Sequence, residues 1–407
     1  MDLDKLQGVD CADVAGRRVL LRADLNVPLR NGVVTDSTRL KRVLPGLKSL
    51  VDRGARVIVL SHFGRPNGQP NPDMSLRPVA KELSGLIGAA ISFAPDCVGD
   101  AATKVVDDLH PGDVAVLENV RFHAGEETND LAFAKSLAAH GDLYVNDAFS
   151  AAHRAHASTA GLAKLLPAFA GRLMMEEIGA LRAALDSPTR PTAAIVGGAK
   201  ISSKITVLTN LVDKVDHLIV GGGMANTFLL AQGGCVGASL AEPDQIGLAN
   251  EIIVNARAKG CQILLPNDAV VAERLESGVP SEVVDVSSVP GDKMILDVGP
   301  KSITAMTSVL SSCRTVLWNG PLGAFETEPF GAGTFKLAQL AGSLTERGAL
   351  TSIAGGGDTV AALNAAGVID KFSYVSTAGG AFLEWIEGRE LPGIVALTLD
   401  QDRSSLG

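Results

Sequence analysis

The residues able to do chemistry stand behind short apolar runs, and the most informative set is 353–363, IAGGGDTVAAL. There an apolar run ends in Gly355, Gly356, Gly357, Asp358 and Thr359, and the helix-forming run Val360-Ala361-Ala362-Leu363 follows. Glycines let backbone N–H groups come close to an anion, and a helix N-terminus adds partial positive charge. Asp358 could hold a divalent cation beside that anion, because magnesium takes carboxylate and phosphate oxygens together. The same residues also suit a tight strand-to-helix turn with Asp358 as its N-cap.

Lys200 and Lys204 follow Gly197-Gly198 at a spacing of four. On a helix that spacing puts both ammonium groups on one face, where a polyphosphate would relieve their repulsion; a solvated basic face is the other reading. Arg39, His62, Arg65, Arg121 and Arg154 are spread through the first half. Guanidinium forks match phosphate and carboxylate oxygens, so several gathered at one sheet edge would make a pocket for a small, highly charged metabolite. Each alone is equally a surface or ion-pair residue. Asp24 and Asn26 share a side if the chain is extended, and suit either a substrate's hydroxyl and carboxylate or a turn before Pro28. Glu326 is either solvated or an acceptor for ribose hydroxyls. His153 and His156 have no third residue at characteristic metal-ligand spacing.

These residues need a scaffold, and the apolar runs supply it. In the first half the runs are 19–21, 57–60, 114–117 and 143–145; in the second they are 193–196, 218–220, 263–265, 315–317, 353–355 and 374–376. Val-, Ile- and Leu-rich runs separated by helix-length segments predict parallel strands buried on both faces, with ligands just beyond their carboxyl ends. The polar clusters sit at those ends. A helix at 174–185 and a turn at 186–191 predict a boundary between two halves.

Composition narrows the function classes. The 407 residues are 46% hydrophobic and 20% charged, which fits two globular domains. The net charge of −9 disfavours nucleic acid and anionic membrane as partners. The five cysteines include no C-x-x-C pair, which predicts reduced, mostly buried thiols and a cytoplasmic location. No uncharged apolar run approaches membrane-spanning length.

Neither a G-x-x-x-x-G-K-[ST] loop nor a clean dinucleotide fingerprint is present, and the protein-kinase signatures are missing. The motifs RADLNVP (22–28), SHFGRP (61–66), ENVRF (118–122), VNDAF…AHRAH (145–156), GGAKISSKI (197–205), GGGMANTF (221–228), WNGPLGAFE (318–326), AGGGDT (354–359) and STAGGAFLE (376–384) instead resemble, in order, those of the phosphoglycerate kinase family. The resemblance spans nearly the whole chain.

It implies two doubly wound, Rossmann-like parallel-sheet α/β domains joined by a hinge helix. Residues 1–172 would form the substrate domain and 173–387 the nucleotide domain, with 388–407 returning to the first. Asp24, Asn26, Arg39, His62, Arg65, Arg121 and Arg154 would hold 3-phosphoglycerate or 1,3-bisphosphoglycerate. Lys204, Asn319, Glu326, Gly355, Gly356, Gly357, Asp358 and Thr359 would hold ADP or ATP, with Asp358 on Mg2+. Arg39, Lys200, Lys204, Gly379 and Gly380 would serve the transferring phosphoryl group. The expected protein is a cytoplasmic, monomeric glycolytic enzyme. The chain departs from the family pattern at Ala378, Asp292-Lys293, Ser150-Ala151 and Asn267. Two other readings are a nicotinamide-dependent dehydrogenase and a catalytically silent metabolite-binding relative. The missing dinucleotide fingerprint argues against the first, and retention of Arg39, Lys200, Lys204 and Asp358 against the second.

Overall fold

All ten apolar runs are strands in the computed structural model, which describes residues 2–399. They belong to two six-stranded sheets in which every pairing is parallel. The first contains β1 (Arg18–Arg22), β2 (Arg56–Leu60), β3 (Ile91–Ala94), β4 (Val114–Leu117), β5 (Leu143–Asn146) and β6 (Ala168–Ala170). Its order is β3-β4-β2-β1-β5-β6. The second contains β7 (Thr192–Val196), β8 (His217–Val220), β9 (Gln262–Leu264), β10 (Thr315–Asn319), β11 (Thr351–Gly355) and β12 (Tyr374–Ser376), in the order β9-β8-β7-β10-β11-β12. Numbered within its own sheet, that is the 3-2-1-4-5-6 order of doubly wound nucleotide-binding folds. Central strands are buried on both faces: Val19, Leu20 and Leu21 are all inaccessible, as are Ala194, Ile195 and Val196. Polar chemistry is thereby confined to the strand ends.

Chain order reverses between β1 and β5 in the first sheet, and between β7 and β10 in the second. Diverging connections leave a crevice at such switch points. Asp24 and Asn26 follow β1, and Arg154 follows β5. Lys200 follows β7, and Asn319 ends β10. Each sheet thus carries candidate residues at its own switch point.

The chain divides into two compact units, 2–178 with 390–399, and 179–389. The helix Arg172–Leu185 runs across the division. In the first unit the segment after Glu390 buries Leu391, Ile394 and Leu397, and the Gly393 amide donates to the Ala152 carbonyl at 2.8 Å. The second unit also holds a three-stranded antiparallel sheet, Asp268–Ala272 between Glu282–Asp285 and Met294–Val298. The apolar-run pattern does not reveal that sheet, nor the short edge strands β3 and β6.

Three buried aspartates receive the N-termini of helices. Asp147 accepts from the Met174 amide at 3.1 Å, Asp268 from those of Lys301 and Ser302, and Asp297 from that of Gly333 at 2.9 Å. A Cβ on Gly171 would fall 2.3 Å from Asp147, and one on Gly299 equally close to Asp268. Burial pushes the carboxyls of Asp147 and Asp297 up to about 7 despite the amides that favour the anion.

At the second switch point the backbones of Gly197 and Gly320 are in direct contact. A Cβ on Gly320 would lie 2.2 Å from the Gly197 carbonyl oxygen, and φ there is +104°. Gly320→Ala should cost at least about 3 kcal/mol in urea unfolding, adding overpacking to backbone strain. Gly348→Ala, at φ +68° with nothing within 4 Å, should cost about 1 kcal/mol. Equal losses in the two variants would show that the contact is not what constrains Gly320.

Candidate functional site

The first unit gathers positive charge around β1. The helix Thr38–Asp52 buries Leu40, Val43, Leu47 and Leu50 and carries Arg39 in its first turn. Arg39 Nη1 donates to Asp24 Oδ2 at 2.8 Å and to the Asn26 carbonyl at 3.2 Å. The Ser150 hydroxyl also bonds Asp24 Oδ2. Burial acts to raise the Asp24 carboxyl, but Arg39, the Ser150 hydroxyl and the Asn26 amide hold it below the usual range. Asn26 Oδ1 accepts the Gly64 amide at 3.1 Å, tying β1 to the loop after β2. Asp24 and Asn26 therefore both shape a turn and remain partly open to a ligand.

His62 and Arg121 are buried, Arg154 is half-buried and Arg65 is exposed. Burial, then Arg22, holds His62 well below its usual pKa, with Arg121 and His156 contributing. Burial and then Arg121, Arg22, Arg154 and His153 push His156 down to about 4. These mutual effects place Arg22, Arg121, Arg154, His62 and His156 in one electrostatic neighbourhood. Arg121 Nη1 is anchored on the Gly64 carbonyl at 2.8 Å, and its Nε lies 3.3 Å from Glu127. Arg65, on the same loop as Gly64, is carried beside it by the chain.

The sequence marks Arg22 as one of the polar residues of the first half, but its role in the layer beneath, with Ser158 and Glu126, was missed. Arg22 is 1% exposed; its Nε donates to Ser158 Oγ at 2.8 Å and its Nη1 to the Ala23 carbonyl at 2.6 Å. Its Nη2 lies 3.0 Å from His62 Nδ1. A guanidinium only donates, so Nδ1 accepts, and neutral His62 carries its hydrogen on Nε2. Ser158 passes the contact to buried Glu126, donating from Oγ at 2.5 Å and from its amide at 2.9 Å. The only sequence signal for this layer is a charged residue inside an apolar strand.

In the second unit, Lys200 and Lys204 are not on a shared helix. The helix begins at Ile205 with Lys204 as its N-cap, and Lys200 lies in the preceding loop. Gly197 must pass close to Gly320 beyond β10, and Gly198 close to Gly222, so the chain turns before it can coil. Lys204 Nζ donates to Asn319 Oδ1, whose Nδ2 donates to the Gly355 carbonyl at 2.7 Å. Burial lowers the Lys204 pKa to about 8, while Asp358 and Glu387 act to raise it.

The helix Gly357–Ala365 has Gly356, at φ +101°, as its N-cap. Asp358 is therefore not the cap: it is exposed in the first turn and accepts no hydrogen bond among the described residues. Thr359 is buried; its hydroxyl donates to the Gly355 carbonyl at 2.9 Å and accepts the Gly320 amide at 2.8 Å. Gly379 and Gly380 open the helix Gly379–Ile386, with Gly379 at φ +37°. Ala378 is its buried N-cap. Adjacent strands β11 and β12 thus each feed a glycine helix start. Glu326 is exposed in the loop after β10.

A cavity of about 360 Å³ opens at this switch point. Its lining includes Gly198, Gly222, Leu240, Leu296, Leu322 and Asp358. Apolar walls with glycines and a carboxylate at the rim match a nucleoside with its phosphates outside. Leu240 and Leu296 were not found from sequence, because nothing in their spacing separates a cavity wall from a core.

A basic cluster on one parallel-sheet unit and glycine helix starts around a nucleoside-sized cavity on the other define a phosphotransferase of the small-molecule kinase class. The phosphoglycerate kinase family pattern matches residues 9–389. A phosphoglycerate kinase of Chelativorans sp. (strain BNC1) is 58% identical, covering 95% of this chain and 98% of its own. One from Zymomonas mobilis is 59% identical over the same shares. The solved phosphoglycerate kinase of Coxiella burnetii superposes with a TM-score of 0.91 at 42% identity, covering 97% of this chain and 99% of that one. The chain belongs to the phosphoglycerate kinase family, whose nucleotide substrates are ADP and ATP.

Arg22→Met should destabilise the protein by about 3 kcal/mol in urea, because Glu126 then lies buried without its cation. The double variant Arg22→Met/Glu126→Gln should recover part of that loss. No recovery would show that Arg22 acts by packing alone.

Proposed function

We propose the following division of labour for reversible phosphoryl transfer between 1,3-bisphosphoglycerate and MgADP, giving 3-phosphoglycerate and MgATP. The first unit binds the phosphoglycerate. Arg65, Arg121 and Arg154 grip its non-reacting phosphate, while Asp24, Asn26 and the Nε2–H of His62 orient its hydroxyl and carboxyl ends. Arg39, held by Asp24, aims charge at the reacting end. The observation that carries this reading is the gathering of Arg22, Arg39, Arg121 and Arg154 with neutral His62 and His156 around the end of β1, against three carboxylates, Asp24, Glu126 and Glu127.

The second unit binds the nucleotide. Its cavity takes the base, Glu326 the ribose, and the amides of Gly355–Gly357 with Lys204 the phosphates. Asn319 and Thr359 act from behind, holding the glycine turn against β10. Lys200, Lys204, Gly379 and Gly380 neutralise the transferring group. Asp358 fits a magnesium ion, since its carboxylate is exposed at the cavity rim and free of hydrogen bonds among the described residues. Bound there, the ion would neutralise charge shared by the phosphates. Phosphoryl transfer needs positioning and charge compensation rather than a side-chain nucleophile.

Each ligand belongs to its own unit, so the connecting helix Arg172–Leu185 is the proposed hinge. The enzyme is proposed to act in glycolysis as a cytoplasmic monomer without nucleic-acid or membrane partners. Five free thiols and the lack, among the described residues, of any helix long and apolar enough to cross a membrane support that reading. A coupled assay of ATP formation from 1,3-bisphosphoglycerate and MgADP tests the whole; no turnover by folded protein would favour a silent relative.

Two outcomes separate the roles. Asp358→Ala should weaken MgADP binding at least tenfold and leave 3-phosphoglycerate binding unchanged in calorimetry, roughly 1.4 kcal/mol lost on one ligand only. Equal losses for both ligands would make Asp358 structural. Free Lys204 loses its proton above pH about 8, and a bound polyphosphate favours the charged form. MgADP affinity should therefore be full below pH 8 and fall by up to about tenfold per unit above it. Lys204→Gln should flatten that profile; an unchanged slope would remove Lys204 from the phosphate site.

A further inference from the structure

The reaction leaves one polar cluster of the first unit unused. Asp96 and Cys97 follow β3, and His123 follows the turn after β4. These strands are neighbours in the sheet, so their ends bring together residues distant in sequence. A carboxylate oxygen of Asp96, Cys97 Sγ and a ring nitrogen of His123 all lie within 4.8 Å of one another. His123 Nε2 is 2.7 Å from Asp96 Oδ1, which also accepts the Cys97 amide at 2.6 Å. The imidazole stacks on Phe133 at 5.0 Å between centroids, which fixes its plane.

A cavity of about 490 Å³ opens beside the cluster. Asp96 and His123 line it, together with Asn71, Ser75 and Glu118. Glu118 is already engaged with the Ser75 hydroxyl and the Leu76 amide, so it closes the wall instead of competing for a ligand. Cys97 is fully buried behind Asp96 and His123. Thiol, imidazole and carboxylate converging from two strand ends are a donor set for a borderline divalent cation.

We propose that Asp96, Cys97 and His123 form a binding site for a zinc-type divalent cation, with water from the adjoining cavity completing a tetrahedral set. On binding, the Cys97 thiol gives its proton to solvent and Sγ becomes a ligand. The His123 ring proton moves from Nε2 to Nδ1, and the cation takes its place between Nε2 and Asp96. One proton is released and no oxidant or reductant is involved.

Cobalt(II) is the probe, since its bond to thiolate gives a near-ultraviolet charge-transfer band that oxygen and nitrogen ligands do not. The test uses full-length protein freed of metal by chelation, without nucleotide, in which exposed Cys11 and Cys235 are replaced by serine. One equivalent of cobalt should raise the band, and zinc should abolish it by displacement. Cys97→Ser should remove the band, and His123→Gln should weaken cobalt binding at least tenfold. His123 is partly exposed, so this second variant remains readable if Cys97→Ser folds poorly. Absence of the band, its persistence in Cys97→Ser, or unchanged affinity in His123→Gln would overturn the proposal.

Discussion

Two glycine backbones in contact set the geometry of the second unit. Because Gly197 and Gly320 carry no Cβ, the exits of β7 and β10 stay together for a residue beyond the sheet before they part. Lys204 can then reach Asn319, and Asn319 can reach the carbonyl of Gly355 on the next strand. Thr359 closes the circuit by bonding both Gly320 and Gly355. The glycine turn is held by side chains that have spent most of their hydrogen-bonding capacity on protein. In the proposed reading, the turn's own amides face the phosphates. Rigidity of this kind matters in phosphoryl transfer, where positioning and charge do nearly all the work.

The first unit solves a different problem, that of keeping cations close together without a bound anion. Desolvation drives His62 and His156 neutral, which removes two charges from the cluster. Arg22 is matched through Ser158 to Glu126, and Arg39 is matched to Asp24. Arg121 is matched to Glu127, which leaves Arg65 and Arg154 without a carboxylate partner among the described residues. Buried helix caps perform the corresponding task for the scaffold: Asp147, Asp268 and Asp297 each fix a helix start from a separate strand. Glycines beside the caps make room for that approach.

The scaffold was legible wherever burial on both faces forces a continuous apolar run, as in β1, β7 and β10. It was illegible at β3, whose run Ser92 breaks, at β6, which is only Ala168–Ala170, and in the antiparallel sheet, where Asp297 breaks one strand to cap a helix. The candidate site residues, whose roles are proposals, were legible in the sequence as residue types at strand ends. Their partners were not: Ser150 reaches Asp24 across 126 positions, and spacing carries no trace of that. The helical reading of Lys200 and Lys204 failed because a long-range backbone contact overrides local periodicity. Asp358 is free of capping duty because the helix already starts at Gly357, with Gly356 as its N-cap.

The segment after Glu390 gives the chain a temporal asymmetry. It packs on Ala152 in the first unit, although all of the second unit separates the two in sequence. Ribosomal synthesis runs at about 5–20 residues per second, so the first unit waits some tens of seconds for this piece. That interval is the synthesis of the second unit, which is continuous from Gly179 to Arg389 and complete as the interval ends. The half that begins first is thus finished last, and on a ribosome it would spend that interval with the surface around Ala152 uncovered.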